Sequence, residues 1–274
     1  MPTILLTGLP RSGTTLTCAL LNQCPDTVAL AEPIQLARHG DHVRALDEIA
    51  AFVTANRDSA LTRNVVTSKH IDGVVPDNTV GQVVPGGELR GILVSHGEIS
   101  VVKPLSGDFH LLIKHPAEFT ALSASLRAHY PLYAIVRHPL AVLAAWQTVN
   151  MPIHHGHMPM LEAFTPGLTK RLDAITDRVS RQVAIMDWLL SVYEDFPAGH
   201  VLRYEDTTAD PAGALSVLTP HSAGLSPLPA YDPASRYAHI DLGGLARALL
   251  PIRRRIERFY PDFEASLAPF AHSL

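Results

Sequence analysis

Hydrophobic and polar positions follow one another along this chain in blocks that read as strand, loop and helix in turn. Thr3-Ile4-Leu5-Leu6-Thr7 is a short apolar, β-leaning run of the kind buried on both faces of a parallel sheet. Gly8 to Thr15 interrupts it, and a helical pattern follows at Leu16, Ala19 and Leu20. Thr27-Val28-Ala29-Leu30-Ala31 predicts a second strand, closed by Glu32-Pro33, because a proline disfavours the helical region for the residue before it. Val43, Leu46, Ile49, Ala50 and Val53 have helical spacing and predict a helix across 41–56.

The texture changes between about 62 and 108. Val65-Val66, Val74-Val75, Val83-Val84, Ile92-Leu93-Val94 and Ile99-Ser100-Val101-Val102 are short β runs. Turn clusters part them at Asp77-Asn78, Pro85-Gly86-Gly87 and Ser95-His96-Gly97-Glu98, the last reading as a hairpin loop. Alternation then resumes with strands at His110–Lys114 and Leu132–Val136. Each runs into a proline-started helix, at His115-Pro116 and at Arg137-His138-Pro139. A loop rich in Pro, His, Gly and Met spans 151–167, and a long helix is predicted over 168–195 from Leu172, Ile175, Val179, Val183, Met186 and Leu190. A late strand, His200–Tyr204, ends in Glu205-Asp206. A Pro-rich connection at 219–233 leads to a basic helix at 241–260. The expectation is an α/β protein of the P-loop-type three-layer class. A central parallel sheet is flanked by helices, with a β-rich insertion at about 62–108, all in a single domain over 1–274.

Composition narrows the partners. Hydrophobic content of 47% and charge of 18% describe an ordinary globular chain of 274 residues. Lys and Arg total 22 against 26 Asp and Glu, a net charge of −4, so there is no global basic field for nucleic acid. Basic groups must therefore be local if the ligand is anionic. No stretch approaches the ~20 consecutive apolar residues of a membrane span. The apolar start lacks a basic leader and runs straight into the glycine loop, which argues against a signal peptide. Cys18 and Cys24 cannot make a disulfide framework, which suits a reducing compartment, and the cytoplasm is the expected location.

Candidate chemistry gathers at the strand ends. Gly8-Leu9-Pro10-Arg11-Ser12-Gly13-Thr14-Thr15-Leu16 lies between a strand and a helix N-terminus, where backbone N–H groups and the helix dipole favour an anion. The Gly8…Gly13 spacing is that of the nucleoside-triphosphate loop G-x-x-x-x-G-K-[ST], yet Thr14 stands where its lysine belongs. ATP and GTP sites use that lysine on the β- and γ-phosphates, so ordinary triphosphate chemistry is disfavoured. Lys114-His115-Pro116 and Arg137-His138-Pro139 add cations at the same sheet edge, a layout for a ligand with more than one anionic group.

With these residues in order, the chain resembles the soluble bacterial type of sulfotransferase that uses 3′-phosphoadenosine 5′-phosphosulfate. Residues 8–16 resemble that family's 5′-phosphosulfate loop, and Ala134-Ile135-Val136-Arg137-His138-Pro139 resembles the start of its 3′-phosphate motif. Val201-Leu202-Arg203-Tyr204-Glu205-Asp206 with Asp210-Pro211 is similar to its L-R-Y-E-D…D-P segment, and Leu112-Ile113-Lys114-His115-Pro116 to a strand–Lys–x–Pro element. The resemblance implies that Arg11, Ser12, Gly13, Thr14, Thr15 and Leu16 bind the 5′-phosphosulfate. It also implies that Arg137 binds the 3′-phosphate and that Arg203 and Tyr204 lie near the nucleotide. The activity implied is sulfuryl transfer to a hydroxyl or amine of a small-molecule acceptor, with no metal. One position departs from the family: a serine usual eight residues after the arginine is Ala145 here, with Gln147 and Thr148 as nearby substitutes.

An acceptor needs a general base. Glu32 is the first candidate, His70 the second and His115 the third. The His154-His155-Gly156-His157-Met158 cluster lacks a carboxylate or cysteine framework for a metal and reads as a loop near the acceptor. The Arg253-Arg254-Arg255 run reads as a solvated helix face that could close over the nucleotide. Two other readings stay open on the residues alone: a kinase or NTPase with a lysine-free loop, and a non-catalytic binding module of the same fold.

Overall fold

Successive residues of the central strands enter two different cores. In β1 (Thr3–Gly8), Leu5 packs into a large core while Ile4 and Leu6 pack into a smaller one. In β2 (Thr27–Ala31), Val28 and Leu30 face the first core, and Ala29 and Ala31 the second. β5 (His110–Lys114) and β6 (Leu132–Val136) divide in the same way. Period-two alternation with both faces apolar is what a sheet covered by helices on each side requires. The structure, a computed structural model, describes residues 3–36, 40–82, 88–229 and 236–273.

The sheet has the order β2-β5-β1-β6-β7, where β7 is Val201–Arg203, and every neighbouring pair is parallel. Helix α1 (Thr14–Leu21) lies on the smaller core through Cys18, Leu20 and Leu21. α2 (His42–Arg63) lies on the larger one, capped by Asp41, whose side chain accepts from Arg44 N–H. The α/β class, the parallel sheet and the three layers are as expected. Among the described residues no helix is long and apolar enough to cross a membrane.

After β5 come two single-turn helices, α3 (Glu118–Ala121) and α4 (Ser123–Leu126), and after β6 comes α5 (Pro139–Trp146) with proline at its start. α5 is wholly buried, so it reads as an unbroken apolar run. The helix expected over 168–195 is two helices. After α6 (Pro159–Ala163) come α7 (Leu168–Asp173) and α8 (Arg178–Tyr193), and between them Asp177 caps α8 by accepting from Ser180 N–H at 2.7 Å. β7 is followed directly by α9 (Tyr204–Ala209) and then α10 (Pro211–Ala214). The basic helix expected over 241–260 is likewise broken, into Leu242–Leu249, a 3₁₀ turn at Leu250–Ile252 that contains Pro251, and Arg253–Ile256.

The insertion differs from its expected strands. Its ordered ribbon pairs β3 (Val65–His70) with β4 (Ser95–Ser100), antiparallel, from Val65 opposite Ser100 to His70 opposite Ser95. Ser-His-Gly-Glu, expected as a hairpin loop, is therefore strand, and Ile92 makes only an isolated bridge with Val80. β4 is a mostly exposed edge, so no buried apolar run marks it. The Val83-Val84 run and the Pro85-Gly86-Gly87 turn lie outside the described residues.

Two glycines shape the first loop. A Cβ at Gly8 (φ 152°) would lie 2.4 Å from the Ile135 carbonyl oxygen, so only glycine lets β1 pass this close to β6. Gly13 (φ 96°) is left-handed, and a Cβ there would strike the Tyr204 ring at 2.4 Å.

Candidate active site

The loop after β1 is tied down on its buried side. Ser12 Oγ donates to the Ile135 carbonyl at 2.8 Å, Trp146 Nε1 donates to the Pro10 carbonyl at 2.8 Å, and Arg137 Nη1 donates to the Arg11 carbonyl at 3.3 Å. Ser12 is fully buried, so its hydroxyl anchors the loop and does not face a ligand. Arg11 takes a left-handed backbone (φ 70°). Thr14, Thr15 and Leu16 open α1, whose first N–H groups have no intrahelical partner.

Above this loop is a cavity of about 650 Å³. Arg11, Gly13, Thr14, Thr15, Leu16, Glu32, Lys114, Arg137 and Tyr204 are among the residues that line it. Lys114, only 2% exposed, donates from Nζ to Thr15 Oγ1 at 3.1 Å and pairs with Glu32. The cation missing from loop position 14 is thus supplied from the adjacent strand end. Glu32, left-handed at φ 44°, also pairs with Lys69 of β3, so each of its oxygens serves a lysine. Partial burial opposes its ionisation. Lys114 and then Lys69 outweigh that cost and hold the carboxyl well below the usual carboxylate range.

Arginines crowd the cavity. Arg11, Arg90, Arg137 and Arg236 all line the cavity, with Arg90 and Arg137 at 4% and 8% exposure. Burial, followed by Arg90, pushes the Arg11 guanidinium from 12.5 down to about 10, with Arg137 and Arg236 acting the same way and Tyr237 opposing them. Arg11 Nη2 donates to Asn78 Oδ1 at 2.7 Å, which brings the insertion over the loop. Arg137 lies 4.4 Å from the Tyr204 ring centre. Clustered, partly desolvated guanidinium groups repel one another, and an anion relieves that repulsion.

The other expected site residues fall elsewhere. Arg203 lies outside the cavity, stacked 4.6 Å from the Tyr260 ring, while Tyr204 beside it faces the loop. Glu205 accepts from His138 N–H at 2.9 Å and from the Tyr260 hydroxyl at 2.8 Å, so this segment braces the start of α5. His70 does not line the cavity, and its Nδ1 accepts from Gly73 N–H at 3.1 Å; Lys69, one residue earlier on the other face of β3, lines it instead. His115 is 1% exposed, and its Nε2 accepts from Ile34 N–H at 3.1 Å. Arg253 and Arg255 do not line the cavity: Arg255 pairs with Asp187 and Glu194, and Arg253 with Glu264. Lys69, Arg90, Arg236 and Tyr237 were not site candidates in the sequence, and Asn78 was read only as part of a turn, since none sits in a motif or at the end of a strand of the central sheet.

Of the histidine cluster, His157 lines the cavity, with Nδ1 3.2 Å from Glu162 Oε1. His154 lies against Trp146 O and Arg178. Among the described residues no group of three or more His, Cys, Asp or Glu is placed to hold a metal.

No family model matches the chain, and no curated protein matches it. Among solved structures it is similar to sulfotransferase STF1 from Mycobacterium tuberculosis H37Rv, at 14% identity and a TM-score of 0.37, over 91% of this chain and 76% of that one. It is also similar to the sulfotransferase domain from the curacin biosynthetic pathway, at 14% identity and a TM-score of 0.36, over 85% and 76% of the two chains. A likeness at this level places no residue.

Because the Glu32 carboxyl is held below its ordinary value, near 4.5, its stabilising contribution is complete above that pH and is lost as pH falls through the lower folded value. Glu32→Gln also leaves the Lys114 ammonium buried without this partner, a cost on the order of 3 kcal/mol at pH 7. Urea unfolding should show that gap at pH 7 and a narrower one at pH 3. Equal gaps at the two pH values would contradict the double ion pair.

Proposed function

We propose that this protein is an enzyme that transfers a sulfuryl group from 3′-phosphoadenosine 5′-phosphosulfate to a hydroxyl or amine of a small-molecule acceptor. The observation that carries the reading is the buried Lys114 ammonium bonded to Thr15 while Thr14 fills the triphosphate-lysine position. One compact cation at the strand end suits a sulfuryl group and one bridging phosphate. The arginine wall beside it suits the further charge of a nucleotide carrying a second phosphate.

The donor fits the residues present. The Arg11 Nε is buried without a hydrogen-bond partner among the described residues, and the Gly13 turn and the α1 N-terminus form a cradle for the 5′ end. In the transfer, the acceptor heteroatom forms a bond to sulfur as the bond from sulfur to the bridging phosphate oxygen breaks. The phosphate leaves with that electron pair. Lys114, Arg11 and the loop amides neutralise the negative charge that grows there. This requires no group beyond the protein and its two substrates, in keeping with the metal-independent chemistry implied by the resemblance.

The acceptor's proton needs a taker. Glu32 accepts it only by giving up a lysine, and a carboxylate held this far below its usual range is a weak base. Its role in this reading is to position Lys114. His157, with Glu162 behind its Nδ1, is the general base. The walls near it include Met151, Ile153, Met158 and Met160 from one side and Ile71 and Leu93 from the insertion, which suits a moderately apolar acceptor. Cys18 and Cys24 are both free and buried, and we assign the protein to the cytoplasm.

Calorimetric titration with adenosine 3′,5′-bisphosphate should show micromolar-scale binding that Arg11→Ala abolishes and Arg137→Ala weakens. No binding to the wild type would contradict the donor. His157→Asn should lower kcat by about 100-fold or more while leaving bisphosphate affinity within about twofold. A kcat unchanged in His157→Asn would return the base role to another group.

A further inference from the structure

One carboxylate of the cavity has no cation beside it. Glu32 is held by two lysines and Asp77 is exposed, whereas the Glu118 side chain lines the cavity at only 13% exposure, in the first turn of α3. Among the described residues its one charged or polar neighbour is His115, whose Nδ1 lies 3.4 Å from Glu118 Oε2 and makes no hydrogen bond. That imidazole is fixed in place. It is buried, its Nε2 accepts from Ile34 N–H at 3.1 Å, and its ring centre lies 5.0 Å from that of Phe119. With Nε2 occupied as an acceptor, the ring proton sits on Nδ1, on the side of Glu118. A neutral ring of this tautomer orients the carboxylate without cancelling its charge. Holding a carboxylate largely away from water with no donor is costly, and a ligand that brings a cationic donor removes the cost.

The neighbours of Glu118 show which part of the cavity it serves. α3 packs against α6, and Pro159 and Met160 at the start of α6 line the cavity together with His157 and Met158. The carboxylate therefore belongs with the segment that supplies the apolar acceptor surface and the base. Among the described residues, six lysines and arginines line the cavity against three carboxylates, a surplus of three positive charges. A nucleotide with two phosphates brings about three to four negative charges. It cancels that surplus, so an ammonium beside Glu118 is then attracted and no longer repelled.

We infer that Glu118 binds an ammonium group of the acceptor, which is therefore a moderately apolar molecule carrying both a hydroxyl and an amine. The inference rests on the donor reading above and narrows its acceptor. A protonated amine has no lone pair to offer sulfur, so the hydroxyl is the group that reacts. Glu118 sets specificity, and His115 is a positioning residue that acts through it. Because the donor's charge is what makes the cavity receptive to an ammonium, the donor binds before the acceptor.

The test compares two probes by calorimetry, each with and without adenosine 3′,5′-bisphosphate: tyramine, a phenol with an ammonium arm, and 4-propylphenol, its neutral counterpart of similar shape. With the bisphosphate present, wild type should bind tyramine about 10-fold or more tightly than 4-propylphenol, and the bisphosphate should strengthen tyramine binding the more. Glu118→Gln should lose about 10- to 100-fold in tyramine affinity and leave 4-propylphenol within about twofold, the loss of one charge-assisted contact. Bisphosphate binding retained in Glu118→Gln shows that the variant is folded. Glu118→Asp should keep part of the preference. If Glu118 only props the wall, both phenols weaken equally in Glu118→Gln, which overturns the inference, as does a preference unchanged in that variant. A wild type that binds the bisphosphate but does not prefer tyramine overturns this inference alone. A wild type that binds tyramine through Glu118 and no bisphosphate overturns the donor reading alone, and one that binds neither overturns both.

Discussion

A single buried ammonium ties the site together. Lys114 Nζ, at the end of β5, reaches Thr15 at the start of α1 and Glu32 at the end of β2, and Glu32 in turn holds Lys69 of the insertion ribbon. Desolvating an ammonium costs several kcal/mol unless a partner of opposite charge and further hydrogen bonds replace its water. That requirement dictates the neighbourhood. Glu32 must sit at the strand end in a left-handed conformation, and the ribbon must lie close enough for Lys69 to share the carboxylate. The loop after β1 is held from beneath by Ser12 and Trp146, so Thr15 stays within reach of the ammonium. Sheet, loop and insertion are therefore positioned by one charge.

The second constraint is electrostatic crowding. Arg11, Arg90, Arg137 and Arg236 share one cavity in a chain whose net charge is −4. Concentrating cations locally while the whole chain stays slightly acidic favours a small polyanion over an extended one such as nucleic acid. Lys114 meets Thr15 beside the loop, Arg11, Arg90, Arg137 and Arg236 line the same cavity, and Met151, Ile153, Met158 and Met160 add apolar surface to it.

Much of the fold could be read in the sequence because the central strands are buried on both faces and so appear as unbroken apolar runs. β2, β5 and β6 begin and end where those runs do. The ribbon was misread for the opposite reason: β4 is an exposed edge of Ser, His, Gly and Glu, and polar edges look like turns. The breaks between α7 and α8, and near Pro251, come from caps and local geometry that helical periodicity does not report. At the site, the loop, Lys114, Arg137 and Tyr204 were legible because they follow sheet strands. His70, the second base candidate, follows Lys69 in β3, and because a one-residue step in a strand reverses the face, Lys69 lines the cavity and His70 does not. Arg203 ends β7 and Glu205 lies in the first turn of α9, and the two turn from the cavity to Tyr260 and, for Glu205, His138. Arg90 and Arg236 carried no signal at all, since only the tertiary fold brings their segments to the cavity.

The central claim is that Lys114 and the arginine wall recognise a phosphosulfate donor and promote its transfer, in place of a triphosphate. Incubating the protein with 3′-phosphoadenosine 5′-phosphosulfate carrying a radiolabelled sulfur, against a panel of phenols, sugars and nucleosides, tests it most directly. The account predicts label on at least one acceptor without added divalent metal, and none when Lys114→Ala replaces the wild type. Label that moves only from the γ-phosphate of ATP, and only with magnesium, would contradict it.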